Sequence, residues 1–234
     1  ARIMARQEAF GFPFDEKKAF ALVNELKTKR SDIDDQLQKV FPPVSLERFS
    51  EKTGKKLKTK VTTFNPASRK QTSERLKEKY PEISFDKTEK GNVKLDDDVL
   101  DDLGKKYSEA ALLSKYQLLN KRLGQISEGK EAWLKHCQRY GDGRIHGSVI
   151  TNACVSGRCS HRNPNMAQIP RVGQPYGGEC RGLFYAPTGW RQVGSDASGL
   201  ELRALSSWLF FFDGGEYSKL VSTEGFDIHT HNAK

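Results

Sequence analysis

An α+β fold is what this sequence predicts, on three observations. Apolar residues recur at helical spacing over two long stretches within the first 140 residues. Period-two alternation appears from Arg144 to Ile150. A strand-like run, Arg191 to Asp196, then leads through a tight turn into another helix. The expected organisation is a helical part, residues 1–140, followed by residues 141–234, where strand-like stretches and a helix are expected.

The first long helix is expected from Asp15, a helix-capping residue type, to about Val40. Ala19, Leu22, Val23, Leu26, Ile33, Leu37 and Val40 form one apolar stripe along it, and Pro42-Pro43 stops it. A segment without clear periodicity follows, carrying Lys52, Lys55, Lys56, Lys58 and Lys60 around Gly54, and reads as a mobile basic loop. Asn65-Pro66 supplies turn chemistry ahead of a short polar helix that reaches Tyr80. The acidic run LDDDVLDDL suggests metal binding, but carboxylates clustered at a helix start satisfy the helix dipole, and that is the expected role. A second long helix is expected from Ser108 through Leu112, Leu113, Tyr116, Leu119 and Leu123 to Trp133 and beyond. It makes an antiparallel pair with the first, capped at the far end by the small basic region.

Beyond Tyr140-Gly141-Asp142-Gly143 the character changes. Ile145 and Val149 face one way in a strand, and the chain to Trp190 is rich in Gly, Pro, Asn and Arg. From Gly199 a helix is expected to bury a broad face of Leu202, Leu205, Trp208, Leu209 and Phe212.

Bulk properties narrow the function. Thirty-nine Lys and Arg against 30 Asp and Glu leave a formal charge of +9 and a pI near 9.3, which points first to nucleic acid, because each phosphate contact releases counterions. No apolar run approaches the roughly 18 residues of a membrane span, and ARIMARQEAFGF lacks the apolar centre of a signal peptide. Cys137, Cys154, Cys159 and Cys180 form no C-x-x-C pair and are expected as free thiols. A zinc site from Cys154, Cys159, His161 and Cys180 is a weaker reading, since the spacing fits no common zinc module.

The stretch that carries chemistry is VGSDASGLELRALSSWL, residues 193–209. A strand delivers Asp196 to its end, and the turn Ala197-Ser198-Gly199 opens the backbone beside it. A carboxylate so placed can hold a hard cation, although such an Asp is commonly only a cap. D-A-S-G-L-E-L-R resembles motif A of family A DNA polymerases, the DNA polymerase I family. Ala and Gly in place of Tyr and Gln make it similar to the replicative enzymes of short-tailed phages. The other segments agree in the family's order. ARQEAFGFPFD (5–15) resembles the entry to the thumb, FNPASR (64–69) the thumb tip, and KRLGQISEGKEAWL (121–134) the second thumb helix. RIHGSV (144–149) and VSGRCSHRNPNMAQIP (155–170) match segments ahead of motif A, and DIHTHN (227–232) the lead into the fingers.

The resemblance implies an incomplete right-hand polymerase fold, with long antiparallel thumb helices over residues 1–140 and the first part of the palm, part of a mixed or antiparallel sheet with packed helices, over 141–234. It implies template-directed DNA synthesis with two Mg²⁺ ions, primer–template DNA and a deoxynucleoside triphosphate. Asp196 would bind both metals, and the Ala197 carbonyl would ligate the one that carries the triphosphate. Ser198 and Gly199 would lie beside the nucleotide, Glu201 would close the space at the sugar 2′ position, and His229 would contact the triphosphate. Arg158 would contact the primer–template near its terminus, with Asn165 and Gln168 tracking the duplex. Asn65, Ser68, Arg69, Lys121 and Arg122, with Lys55, Lys56 and Lys58, would hold backbone phosphates. Arg203 is expected as a buried structural partner, and His231 as a chance neighbour of His229.

The 234 residues contain neither the fingers helix nor the later His-Asp motif with its second metal-binding carboxylate. The expectation is therefore a polymerase subunit, inactive alone, that acts with a second chain carrying the fingers and remaining palm. A separate exonuclease chain is a further expected partner, and the location is the cytoplasm of an infected cell. Phage relatives often carry a long thumb-tip insertion that binds thioredoxin. Only Phe41 to Thr63 is available here, far shorter though rich in lysine, which leaves a thioredoxin-like processivity factor doubtful and direct gripping of DNA by the lysines, or another factor, as the alternatives. The alternative is a DNA-binding module derived from a polymerase but not catalytic. Neither a membrane partner nor a membrane span is expected.

Overall fold

The structure, a computed structural model, describes residues 2–49, 56–89, 91–223, 225–226 and 230–231. The protein is α+β and divides into two compact units, Ala1–Gly189 and Trp190–Lys234.

In the first unit the frame is α2 (Glu16–Val40) packed antiparallel on α5 (Ser108–Leu123), with a short helix α1 (Arg2–Phe10) ahead of them. Asp15 starts α2 as expected. Its Oδ1 accepts from the backbone N–H of Lys18 at 3.0 Å, and that bond holds the carboxyl below its ordinary range. The Phe41 N–H returns to the Leu37 carbonyl, and Pro42-Pro43 prevents a further turn.

The apolar stripe of α2 serves two cores. Leu22, Val23 and Leu26 pack with Leu119, Leu123, Ile126 and Trp133, while Leu37 and Phe41 pack with Phe64, Leu76, Leu100 and Leu113. Ile33 touches both clusters, so α2 is the spine that joins them. Each buried leucine contributes about 1.5–3 kcal/mol relative to exposure.

The second long helix is not continuous. After Leu123 a π turn, Gly124–Glu128, widens the helix, Gly129 turns the chain out, and α6 (Trp133–Tyr140) resumes. Gly129 permits this. The Gly129 N–H bonds to the Gly124 carbonyl at 3.0 Å, and a Cβ at Gly129 would lie 2.4 Å from that oxygen. The expected basic loop is in part paired strand, while Lys52 and Gly54 lie outside the described residues. β2 (Val44–Phe49) pairs antiparallel with β3 (Lys56–Thr62), with a register shift between Leu46 and Arg48. Val44, Val61 and Thr62 suit a paired, pleated backbone, a signal that the lysine charge obscured.

α3 (Arg69–Lys79) and α4 (Asp97–Gly104) complete the far end. Ser68 caps α3. Asp96 caps α4 through the Val99 N–H at 3.1 Å, and Asp97 and Asp98 occupy its first turn, so the acidic run is a helix start as expected.

At the near end β1 (Phe12–Pro13) pairs with β4 (Arg144–Ile145), and β5 (Ser148–Ile150) pairs with β6 (Ser160–Arg162), both antiparallel. The single strand expected over residues 144–150 is thus two short strands with different partners, separated at His146-Gly147. A 3₁₀ turn (Met166–Gln168) and α7 (Gly177–Arg181) follow.

The second unit holds α8 (Leu200–Asp213) and α9 (Glu216–Ser222), joined by Gly214 and Gly215 in left-handed conformation. Ser218 Oγ donates to the Ser206 carbonyl at 3.0 Å. The strand expected over Arg191 to Asp196 is not formed: this stretch has no regular secondary structure and joins none of the described sheets. The helix after Gly199 forms, but its expected buried face does not. Leu205, Trp208 and Phe212 are exposed and Leu202 and Leu209 half-buried, while Ser206 is buried. Helical period predicts which side chains share a face, not whether a surface covers it. Among the described residues, no helix is long and apolar enough to cross a membrane.

Candidate nucleic-acid interface and catalytic carboxylate

Asp196 stands exposed in an irregular stretch that enters α8. Gly199 adopts φ 60°, the left-handed conformation that glycine takes without a Cβ penalty, and so turns the chain into the helix. Arg203 secures the turn from the helix side. Its N–H donates to the Gly199 carbonyl at 2.9 Å, and its Nε donates to the Ser198 carbonyl at 3.0 Å. Arg203 is thus a structural partner of the turn, but an exposed one rather than the buried one expected. Glu201 is exposed in the first turn of α8, where the helix dipole favours an acid.

A hard divalent cation takes about six oxygen ligands. Asp196 offers one carboxylate and Ala197 a neighbouring backbone carbonyl. Among the described residues no group of three or more His, Cys, Asp and Glu is placed to hold a metal ion. The donor set fits part of a metal site and leaves the rest to groups elsewhere. His229 lies outside the described residues, and the His231 ring packs against Phe226 with centroids 5.4 Å apart.

Arg158 sits in the exposed loop that joins β5 to β6. The loop is closed by two backbone bonds, Cys154 N–H to the Arg158 carbonyl at 3.2 Å and Gly157 N–H to the Cys154 carbonyl at 2.9 Å. Downstream, Asn165 Oδ1 accepts from the Ala167 N–H at 3.0 Å and starts the 3₁₀ turn that carries Gln168. Gly147 lets this segment approach the strands, since a Cβ there would lie 2.6 Å from Met166 Cγ.

At the far end Asn65 Oδ1 accepts from the Ala67 N–H at 3.0 Å, Ser68 caps α3, and Arg69 opens that helix exposed. A cavity of about 700 Å³ beside it is lined by Arg69, Lys70, Glu74 and Lys77 with Thr88, Gly91, Asn92 and Val93. Lys121 pairs with Asp97 at 2.9 Å. Arg122 does not join this exposed set: it is 5% exposed and turned inward. The backbones of Lys56 and Lys58 run in β3, and Lys55 lies outside the described residues.

Cys154, Cys159, His161 and Cys180 are not gathered into a zinc site. Cys154 and Cys159 are exposed in the β5–β6 loop, while Cys180 is buried in the core. Burial pushes the Cys137 thiol up to about 12 and the Cys180 thiol up to about 11, so both are inert core groups. Sequence reasoning missed Gln125, whose amide bonds to the Gln168 carbonyl. Neighbouring Gly124, where the helix changes pitch, was the available signal.

A profile of the family described as DNA polymerase family A matches residues 44–234. The DNA-directed DNA polymerase of Escherichia phage T7 is 35% identical over 294 residues, covering 99% of this chain and 41% of the relative. That of Enterobacteria phage T3 is 35% identical over 295 residues, with the same coverage. DNA polymerase I of Chloroflexus aurantiacus is 33% identical over 63% of this chain and 15% of its own length. Among solved structures, the chain is similar to the POL domain of Pol1 from M. smegmatis, in complex with DNA primer-template and dNTP. The TM-score is 0.59 at 20% identity, over 81% of this chain and 29% of that one. The chain thus spans well under half the length of the phage relatives it matches.

Proposed function

This chain belongs to DNA polymerase family A, and from that premise we propose that it contributes the primer–template grip and one metal-binding carboxylate to template-directed DNA synthesis. Residues 1–140 act as a thumb and residues 141–234 as the first part of a palm. The observation that carries the reading is the Asp196 turn. An exposed carboxylate enters a helix through a left-handed glycine, the turn is stapled by Arg203, and the whole lies inside the matched region.

In this reading Asp196 and the Ala197 carbonyl hold divalent cations, two Mg²⁺ ions, with the remaining ligands supplied by another part of the polymerase or by a second chain. When bound, the cations activate the primer 3′-hydroxyl and neutralise the triphosphate of the incoming dNTP. Ser198, Gly199, Glu201 and His229 line the nucleotide, with Glu201 against its sugar. Arg158, Asn165 and Gln168 meet the duplex near the primer terminus, while Asn65, Ser68, Arg69 and Lys121 hold phosphates with the lysines of the β2–β3 hairpin. Arg122, being buried, serves the protein scaffold instead. The exposed Leu205, Trp208, Phe211 and Phe212 on α8 suit packing against the remaining polymerase region. The site of action is the host cytoplasm.

The incomplete donor set favours one second reading, a module that holds DNA without catalysis. Primer extension by the chain, with and without the remaining polymerase region, separates the two. Extension only in the combined sample supports the enzyme reading. Binding without extension in either sample supports the module.

A further inference from the structure

Two hydrogen bonds tie α5 and its π turn to the segment after β6, and a third links the two side chains that make them. The buried Arg122 donates through Nε to the Pro175 carbonyl at 3.3 Å and through Nη1 to Gln125 Oε1 at 3.1 Å. Gln125 Nε2 in turn donates to the Gln168 carbonyl at 3.3 Å. A guanidinium has donors only, so it fixes which end of the Gln125 amide faces it. The oxygen must face Arg122, and the NH₂ is thereby directed at Gln168. Gln125 lies in the π turn, a local widening of a kind that recurs at functional sites. The Asn165 side chain secures the same short turn through the Ala167 N–H. Gln168 is therefore held from both ends of its 3₁₀ turn, and its own side chain is left exposed.

We propose that Arg122 and Gln125 are positioning residues: Arg122 orients the Gln125 amide, and Gln125 anchors the Asn165–Gln168 turn in the register at which it meets duplex DNA. The DNA contact rests on the function proposed above, whereas the anchoring stands apart from it. Gln125→Glu is the discriminating variant. It keeps an acceptor for Arg122, removes the donor to Gln168 and sets a carboxylate against a carbonyl.

Two measurements on the whole chain test the proposal. Amide hydrogen exchange without DNA is expected to accelerate about tenfold at residues 166–168 in Gln125→Glu, with α2 and the body of α5 unchanged. Affinity for labelled primer–template, read by fluorescence anisotropy, is expected to fall about fivefold, the scale of one lost hydrogen bond. Its effect should be less than additive with Gln168→Ala. Unaltered exchange at 166–168 overturns the proposal whatever the DNA result, and so does strict additivity. If the parent chain binds no DNA, the function reading fails, while the exchange result still decides the anchoring. Gln125→Ala provides the same readouts should Gln125→Glu not fold.

Discussion

Arg30 of α2 grips Glu128 at the end of the π turn through two parallel hydrogen bonds, Nη1 to Oε2 at 2.7 Å and Nη2 to Oε1 at 2.9 Å. The same guanidinium donates to Asn120 Oδ1 at 3.0 Å, so one side chain ties α2 to both α5 and the turn that follows. The pairing raises the Arg30 pKa and lowers that of Glu128. Both groups are partly exposed, so solvent screens the pair. Arg30→Met is expected to cost about 1 kcal/mol. Urea unfolding checks this: the midpoint should fall while the slope stays constant. An unmoved midpoint would show that the pair contributes nothing.

Glu109 gives the chain a pH-dependent contribution to stability. Burial alone would raise its pKa, but Lys79 at 2.6 Å, Tyr80 at 2.7 Å and Ser108 at 3.0 Å donate to the carboxylate and bring it down to about 2. The folded value is lower than the unfolded one of about 4.3. The contribution is therefore fully present above about pH 4.3 and is lost as pH falls towards 2. Glu109→Gln is expected to lower stability at pH 7 by about 1–2 kcal/mol and to flatten its decline below pH 4. Thermal unfolding from pH 7 to pH 3 checks both, and an unchanged acid slope counts against the site.

The chain is expected to bind primer–template DNA with strong salt dependence, losing about three orders of magnitude in affinity from low to moderate salt. The basis is its charge of +9 and the basic far end. Binding that is flat with salt contradicts phosphate gripping. Replacing Lys55, Lys56 and Lys58 by Ala should weaken binding to all sequences alike; altered sequence preference would argue for another mode.

What the sequence made legible was local. The α2 stripe, its Asp15 cap and the acidic start of α4 were readable because period and capping are written in adjacent residues. The break after Leu123 was not, because Leu119, Leu123 and Ile126 keep one buried face through the π turn. The β2–β3 hairpin was hidden by its lysines. In the candidate site, the turn at Gly199 was legible, but the strand before it was not formed, since a ladder needs a partner that residues 191–196 cannot specify themselves. Arg122 had the right charge for phosphate, yet its environment turned it inward, which sequence spacing cannot reveal.

Glu201→Ala in the complete polymerase is expected to change discrimination between ribose and deoxyribose, or to lower incorporation of both. The motivation is the place of Glu201 in the first turn of α8, two residues past Gly199. Competing single-nucleotide incorporations measure it. Parental rate together with parental selectivity would contradict the role.

Asp196→Asn tests the central claim most directly. The substitution keeps the size of the side chain and leaves the Arg203–Ser198 staple in place, so the turn into α8 should still fold. What it removes is the negative charge that holds divalent cations at the reacting phosphate. The measurement is Mg²⁺-dependent primer extension by the complete polymerase, with fluorescence anisotropy of the same primer–template as the control. Extension is expected to fall by several orders of magnitude, each factor of ten being about 1.4 kcal/mol of barrier, while DNA affinity hardly changes. Extension near the parental rate would contradict the assignment of Asp196 as the metal-binding carboxylate of a polymerase site.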